Sequence, residues 1–238
     1  MPKNFNQYII TETIKWLDDI GCDEPLNIDK RSFHGLITSF HNSNNEKNDK
    51  LIDEDINIEH IDNIPSLEKF LLSKKNILDS NSLFFEGFPK ADLMIIGDKP
   101  EDSNTKNTKP FHGEVKQLLD AMLKAIGFDK SNTYYTNLRF NSTKLDINLD
   151  LELEIVKKQI IIVKPKIIIM FGAEATKLLA NTEESIFHSR GQWYDIKIDD
   201  KLKPVHGISM FHPRYILAHP ESKKETWKDL KAVRKKLI

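Results

Sequence analysis

From residue 91 onward the chain alternates short apolar runs with longer stretches of helical period. The runs are 91–97 (ADLMIIG), 133–138 (TYYTNL), 166–172 (KIIIMFG) and 206–211 (HGISMF), each closed by a turn or polar cluster. Helical segments are predicted near 113–126, near 150–163, over 173–180 and over 221–236. Continuous apolar strands separated by crossover helices are the pattern of a parallel sheet covered on both faces. The expectation is an α/β, three-layer α/β/α fold with a central four-stranded parallel sheet. Upstream, residues 5–20 carry Ile9, Ile14, Trp16, Leu17 and Ile20 at helical spacing, stopped by Gly21, and a second short helix is expected from Arg31. The segment 42–63 is rich in Asn, Asp, Glu and Lys, and reads as a flexible acidic linker. The division expected is 1–65, a helical extension with its linker, and 66–238, the α/β domain.

Composition narrows the picture. At 238 residues with 39% apolar content the chain can bury one sizeable core. No stretch suits a membrane span and the start lacks a secretory pattern, so a cytoplasmic protein, monomeric and away from membranes, is expected. Cys22 is the only cysteine, which leaves no internal disulfide and no site built from several thiolates of one chain. The net charge of −1 conceals a gradient, near −6 over 1–90 and near +7 over 201–238. Phosphate binding follows such local surpluses rather than the total.

Ligands of open parallel sheets bind beyond the C-terminal strand ends, so the residues just after each run are the informative ones. These are Gly97-Asp98-Lys99-Pro100, Asn137, Gly172-Ala173 and His212-Pro213. They offer a carboxylate, a carboxamide and an imidazole, and Phe111 adds an aromatic face from the turn before the first long core helix. Such a set suits a flat heterocycle with donors and acceptors along its edge. Each residue alone has a plainer reading: Asp98 as a helix cap, Asn137 in a turn, Phe111 in the core, His212 as a bonded loop histidine. Only their joint position at strand ends favours a site. A Gly-rich dinucleotide loop, a Walker loop and a Gly-x-Ser-x-Gly elbow are all missing from the sequence, which weakens other nucleotide-binding or hydrolytic readings.

The order of motifs resembles that of family-four uracil-DNA glycosylases, the bacterial iron–sulfur branch. GDKPEDSNTKNTKPFHGEVKQLLD is similar to that family's GEAPG, acidic-pair, PFVG and QLLD stretch. TNLRF, KPKIIIMFGAEATKLL, SRGQW and FHPRYILAHPESKKETWKDL follow in the family's order, and IKWLDDIGCDEPLNIDKRS resembles its N-terminal extension. The resemblance implies hydrolysis of the N-glycosidic bond of a flipped-out uracil in DNA, leaving an abasic site for base excision repair. It implies that Asp98 and His212 are catalytic, that Phe111, Asn137, Gly97 and Pro100 bind uracil, and that Arg190, Gly191, Pro213, Arg214, Tyr215 and Lys223 meet the DNA. Tyr215, Ile216 or Leu217 would be the wedge that fills the emptied stack.

Several positions depart from the family. The four cysteines that hold its four-iron, four-sulfur cluster are replaced, by residues such as Leu71 and Ser73 early and near Phe140 and Glu152 later, so no cofactor and no metal are expected. Asp98 stands where the family has Glu, Glu101 replaces a glycine, His112 a small apolar residue, and Val115-Lys116 a small pair. A carboxylate one methylene shorter suggests weakened chemistry, and the second expectation is a glycosylase fold that recognises DNA or a deaminated base without cutting it.

Overall fold

The computed structural model describes residues 58–74, 83–100, 109–140 and 149–237. The two helices expected before residue 42, Cys22, most of the acidic segment and Glu101 lie outside the described residues. The residues from Glu59 onward form one compact unit.

The unit opens with α1 (Ile64–Ser73), started by Asn63, whose side chain accepts from the Ser66 N–H at 2.9 Å, with Pro65 in the first turn. Then come β1 (Phe85–Gly87), β2 (Leu93–Gly97), α2 (Gly113–Ala125), β3 (Thr133–Asn137), α3 (Leu149–Val163) and β4 (Ile167–Phe171). The chain continues through α4 (Ala173–Ala180), α5 (Ile186–Ser189), β5 (Trp193–Ile196), β6 (Val205–Met210), α6 (Pro213–Ala218), a 3-10 turn (Pro220–Ser222) and α7 (Lys223–Leu237).

The sheet order is β1-β3-β2-β4-β6-β5. The four expected strands are its centre and pair in parallel, β3 with β2, β2 with β4, β4 with β6. The expected four-stranded sheet is enlarged by two antiparallel edges, β1 on β3 and β5 on β6. Both edges are short and only partly buried, which is why their sequence carries little apolar signal. In contrast, every residue of β2, β3 and β4 is buried, as strands covered on both faces must be.

Alternation along the strands sorts the side chains into two layers. Leu93, Ile95, Tyr135, Ile167, Ile169, Phe171, Ile208 and Met210 form one core with Val115, Leu119 and Leu123 of α2 and Leu230 and Val233 of α7. On the opposite face Tyr134 donates to Gln159 Oε1 of α3 at 2.9 Å, and Thr176 of α4 shares a 2.8 Å hydroxyl bond with Ser209. Tyr134 and Gln159 are fully buried and the Gln159 Nε2 has no partner. Tyr134→Phe should therefore lower unfolding free energy by about 1–2 kcal/mol in denaturant titration, since Gln159 would lose the partner of its carbonyl too.

Candidate active site

Parallel register sets the site. Gly97 is aligned with Asn137 on one side and with Phe171 on the other, and Phe171 with Met210. Four strands thus end in one row, and the main chain keeps pairing past it. Leu138 N–H donates to Gly97 O at 2.7 Å, Arg139 N–H to Asp98 O at 2.9 Å, and Gly172 N–H to Met210 O at 3.1 Å. Asp98, Asn137, Gly172 and His212 are brought to one end of the sheet by this ladder.

Asn137 is 2% exposed, and its amide orientation is fixed by the Pro110 carbonyl, which accepts from Nδ2 at 2.7 Å. Its Oδ1 is buried with no hydrogen-bond partner. A buried acceptor left open costs about 1–3 kcal/mol, which a donating ligand would recover. Phe111 lies beside it, 1% exposed, and its ring is stacked on His212 with centroids 5.9 Å apart and planes at 25°. Gly97 permits this closeness. A methyl there would collide with Asn137 Oδ1 and stand 2.8 Å from Phe111 Cζ.

His212 precedes α6 and caps it, its Nδ1 accepting from the Arg214 N–H at 3.2 Å. With Nδ1 an acceptor, a neutral ring must carry its proton on Nε2. Burial, helped by the Arg214 charge, holds the imidazole pKa down to about 3, so the ring is neutral across the physiological range. The result is a neutral donor aimed by the helix start.

Asp98 turns toward α4. Its Oδ1 accepts from the Ala175 N–H at 2.6 Å, so the plainer reading of this residue as a helix cap is present too, although for a helix 77 positions away in the chain. Gly172, the residue at the N-cap of α4, has no side chain to cap with and sits at φ 103°, where a Cβ would be strained and would overlap the Asp98 carboxylate. Burial raises the Asp98 carboxyl to about 7, with Glu174 adding to the rise and the Ala175 N–H and Arg214 working against it.

The remaining expected residues are arranged around this centre. Pro100 and Pro213 are buried, while Arg214 and Lys223 are exposed. Arg190 directs its guanidinium inward, with Nη2 at 2.6 and 2.7 Å from the two Asp229 oxygens of α7, and lies over the Phe211 ring at 5.6 Å. Gly191, at φ 76°, donates to Ser209 O at 2.7 Å. Tyr215 packs against Phe211 and His219, at 4.7 and 4.3 Å between centroids. Ile216 is 1% exposed within the core, whereas Leu217 is 36% exposed. An apolar groove of about 240 Å³ between α2, α6 and α7, edged by Lys223 and Trp227, is lined by none of Asp98, Phe111, Asn137 and His212. Sequence reasoning named Gly172-Ala173 as a strand end without seeing that it seats Asp98. It missed the Pro110 carbonyl altogether, since a main-chain acceptor leaves no trace in residue type.

The profile of the uracil DNA glycosylase superfamily matches residues 84–231. The chain belongs to that superfamily, and is thereby a DNA glycosylase, a hydrolase of N-glycosyl bonds. It is similar to the type-4 uracil-DNA glycosylase of Sulfurisphaera tokodaii, 30% identical over 171 residues, 67% of this chain and 76% of the relative. It is also similar to the type-4 uracil-DNA glycosylases of Archaeoglobus fulgidus, 26% identical over 158 residues (62% and 77%), and Pyrobaculum aerophilum, 28% over 159 (63% and 80%).

An iron–sulfur cluster, implied by the family resemblance, needs thiolates where this chain has other side chains. Leu71 is fully buried, Ser73 bonds the Phe70 carbonyl at 2.6 Å, and Phe140, 3% exposed, packs edge-on to Phe84 at 6.1 Å. Glu152 accepts from the Phe140 N–H at 3.1 Å and faces Arg139. An apolar plug and an ion pair occupy these positions, so the residues present do not fit the cluster. Among the described residues no group of three or more His, Cys, Asp or Glu could hold a metal, and no helix is long and apolar enough to cross a membrane.

Asp98 and His212 have opposite effects on pH-dependent stability, and Glu152, whose carboxyl burial raises to about 7, acts in the same sense as Asp98. Between about pH 3 and 6.5 the unfolded chain carries a proton on His212 that the folded site lacks; between 3.8 and about 7 the folded site carries one on Asp98 that the unfolded chain lacks. The proton counts offset over their shared range. Relative to wild type, Asp98→Asn should tilt the dependence of melting temperature on pH upward between 3.8 and about 7, and His212→Asn should tilt it downward between about 3 and 6.5. Calorimetry at several pH values checks this, and variants with the wild-type slope would contradict it. Gly172→Ala should cost about 1–3 kcal/mol of stability by the same method, through the strained φ and the displaced carboxylate.

Proposed function

We propose that this protein excises uracil from DNA, hydrolysing the N-glycosidic bond of a flipped-out deoxyuridine and leaving an abasic site. The observation that carries the reading is the open, buried Oδ1 of Asn137 beside the Phe111 ring. Uracil presents a donor, N3–H, next to an acceptor, O4. Asn137 Oδ1 accepts the first, and the Nδ2 hydrogen not used by Pro110 donates to the second. Cytosine offers an acceptor and a donor at those places, so both contacts would turn repulsive. Phe111 provides the stacking face, worth about 1–3 kcal/mol per base, with Gly97 and Pro100 as close walls.

Bond cleavage sends the N1–C1′ electron pair into the uracil ring, and charge collects at O2. The Nε2–H of His212 donates there, and a neutral donor placed before the charge develops needs no reorganisation. Water adds to C1′ and passes a proton to Asp98, whose ionised form is required. Rate should accordingly climb as pH rises through about 7, the Asp98 value. Lys223 at the start of α7 and Pro213, Arg214 and Tyr215 at the start of α6 form the surface proposed for the DNA backbone. Arg190 and Gly191 shape it from the α5–β5 turn, the guanidinium being engaged with Asp229. Leu217, the exposed one of the three wedge candidates, fills the stack.

A second reading, recognition without cleavage, is favoured by one fact: Asp98 already gives one oxygen to the α4 amide. One assay separates the two. A single-uracil oligonucleotide is incubated with protein and EDTA, then treated with alkali. Excision predicts strand breaks that fall on the order of 100-fold or more in Asn137→Ala, His212→Ala and Asp98→Asn. Retention of the oligonucleotide without breaks supports the binder, and breaks that all three variants preserve would sink the site assignment. Repeating the assay with hypoxanthine and xanthine defines the lesion.

A further inference from the structure

Arg139 directly follows the Asn137-Leu138 end of β3 and is held on three sides. Its main-chain N–H donates to Asp98 O at 2.9 Å. Its guanidinium grips Glu174 of α4 through Nε and Nη2, at 2.8 and 2.7 Å, and reaches Glu152 of α3 through Nη1 at 3.4 Å. Glu152, 2% exposed, is fixed further by the Phe140 N–H. Such a network gives little net stability, because solvent screens the partly exposed Arg139–Glu174 pair and desolvation offsets the attraction at buried Glu152. What it does give is geometry. Glu174 immediately precedes Ala175, the residue whose N–H holds the Asp98 carboxylate, so Arg139 links the Asp98 main chain, through its own N–H, to the helix turn that seats the Asp98 oxygen, through its guanidinium.

We propose that Arg139 is a positioning residue: by tying α3 and the first turn of α4 to the end of β3, it fixes the Ala175 amide against Asp98 and keeps that carboxylate in register with the scissile bond. This brace stands where the family resemblance puts the later cluster ligands, and does the job of tethering those segments with an ion-pair network instead. The inference rests on the excision reading above for its catalytic consequence, but not for its geometry. The charged groups that bear on Asp98 are Glu174 from α4, Arg214 from α6 and Arg139 itself.

The test uses the full chain carrying Arg139→Lys, Glu174→Gln or both. Lysine keeps the charge but lacks the planar fork that presents Nε and Nη2 to Glu174 and Nη1 to Glu152 at once. Single-turnover cleavage of the uracil oligonucleotide should fall about 10-fold in each single variant with the dissociation constant for DNA unchanged. The double variant should be no worse than the poorer single one, since both remove the same link. Independently, the Asp98 carboxyl, followed by carbon-13 NMR, should titrate higher in Arg139→Lys by about half a pH unit or more, a roughly threefold change in proton affinity, because a loosened Ala175 amide no longer favours the charged form. Losses that multiply in the double variant, or that appear in DNA binding rather than in rate, overturn the proposal. So does an Asp98 titration that Arg139→Lys leaves in place. Should the wild-type protein cleave nothing, the excision reading falls while the NMR titration still decides the brace.

Discussion

Register between parallel strands is the constraint on which the site rests. A slip of one residue between β2 and β3 would turn every side chain of one strand to the opposite face and separate Gly97 from Asn137. The pairing is set by burial. Leu93 and Ile95 face the α2 and α7 layer together with Ile167 and Ile169 of β4, and a one-residue slip would turn one strand's set out of that core. The same hydrogen bonds then run on past the strands, through Leu138 and Arg139, and carry Asp98 and the Asn137 amide to neighbouring positions. Precision in the polar groups is inherited from apolar packing beneath them.

The polar groups themselves are economical with partners. Asn137 spends one hydrogen on Pro110 and leaves an oxygen and a hydrogen open. His212 spends its acceptor on Arg214 and leaves a donor. Asp98 gives one oxygen to Ala175. In each case the bond to protein decides the orientation, and what is left over is directed by it. This is how loops at the end of a sheet can hold a side chain as firmly as the sheet would.

The centre of the sheet was legible because β2 and β4, buried on both faces, read as unbroken apolar runs, and β3 reads as a short run of β-branched and aromatic residues. The edges were not. Phe85-Glu86-Gly87 is too short to show a period, and β5, with Trp193, Tyr194 and Asp195 half-buried or exposed, has no alternation to find. The helix α1 was not expected: Asn63 and Pro65 are start signals, but they directly follow a polar stretch whose composition reads as linker. Within the site, Gly97, Asp98, Asn137 and His212 followed from the rule about strand ends, and Phe111 from its place before a helix. Arg139 did not, because its value lies in which carboxylates a crossing helix brings within reach, and that is a property of tertiary packing. Arg190 shows the converse. A basic residue beside a Gly reads as a phosphate contact, yet its charge is matched inside by Asp229.

That internal match alters the electrical character of the last helix. Once Asp229 is neutralised by Arg190, the exterior of α7 presents Lys223, Lys224, Lys228, Lys231, Arg234, Lys235 and Lys236 against Glu225 alone. Lysines four apart, 224 with 228 and 231 with 235, repel along the helix, and the segment is kept folded by its inner stripe of Thr226, Leu230 and Val233. Such a helix is under a lateral electrostatic tension that dilute salt aggravates and any nearby polyanion relaxes.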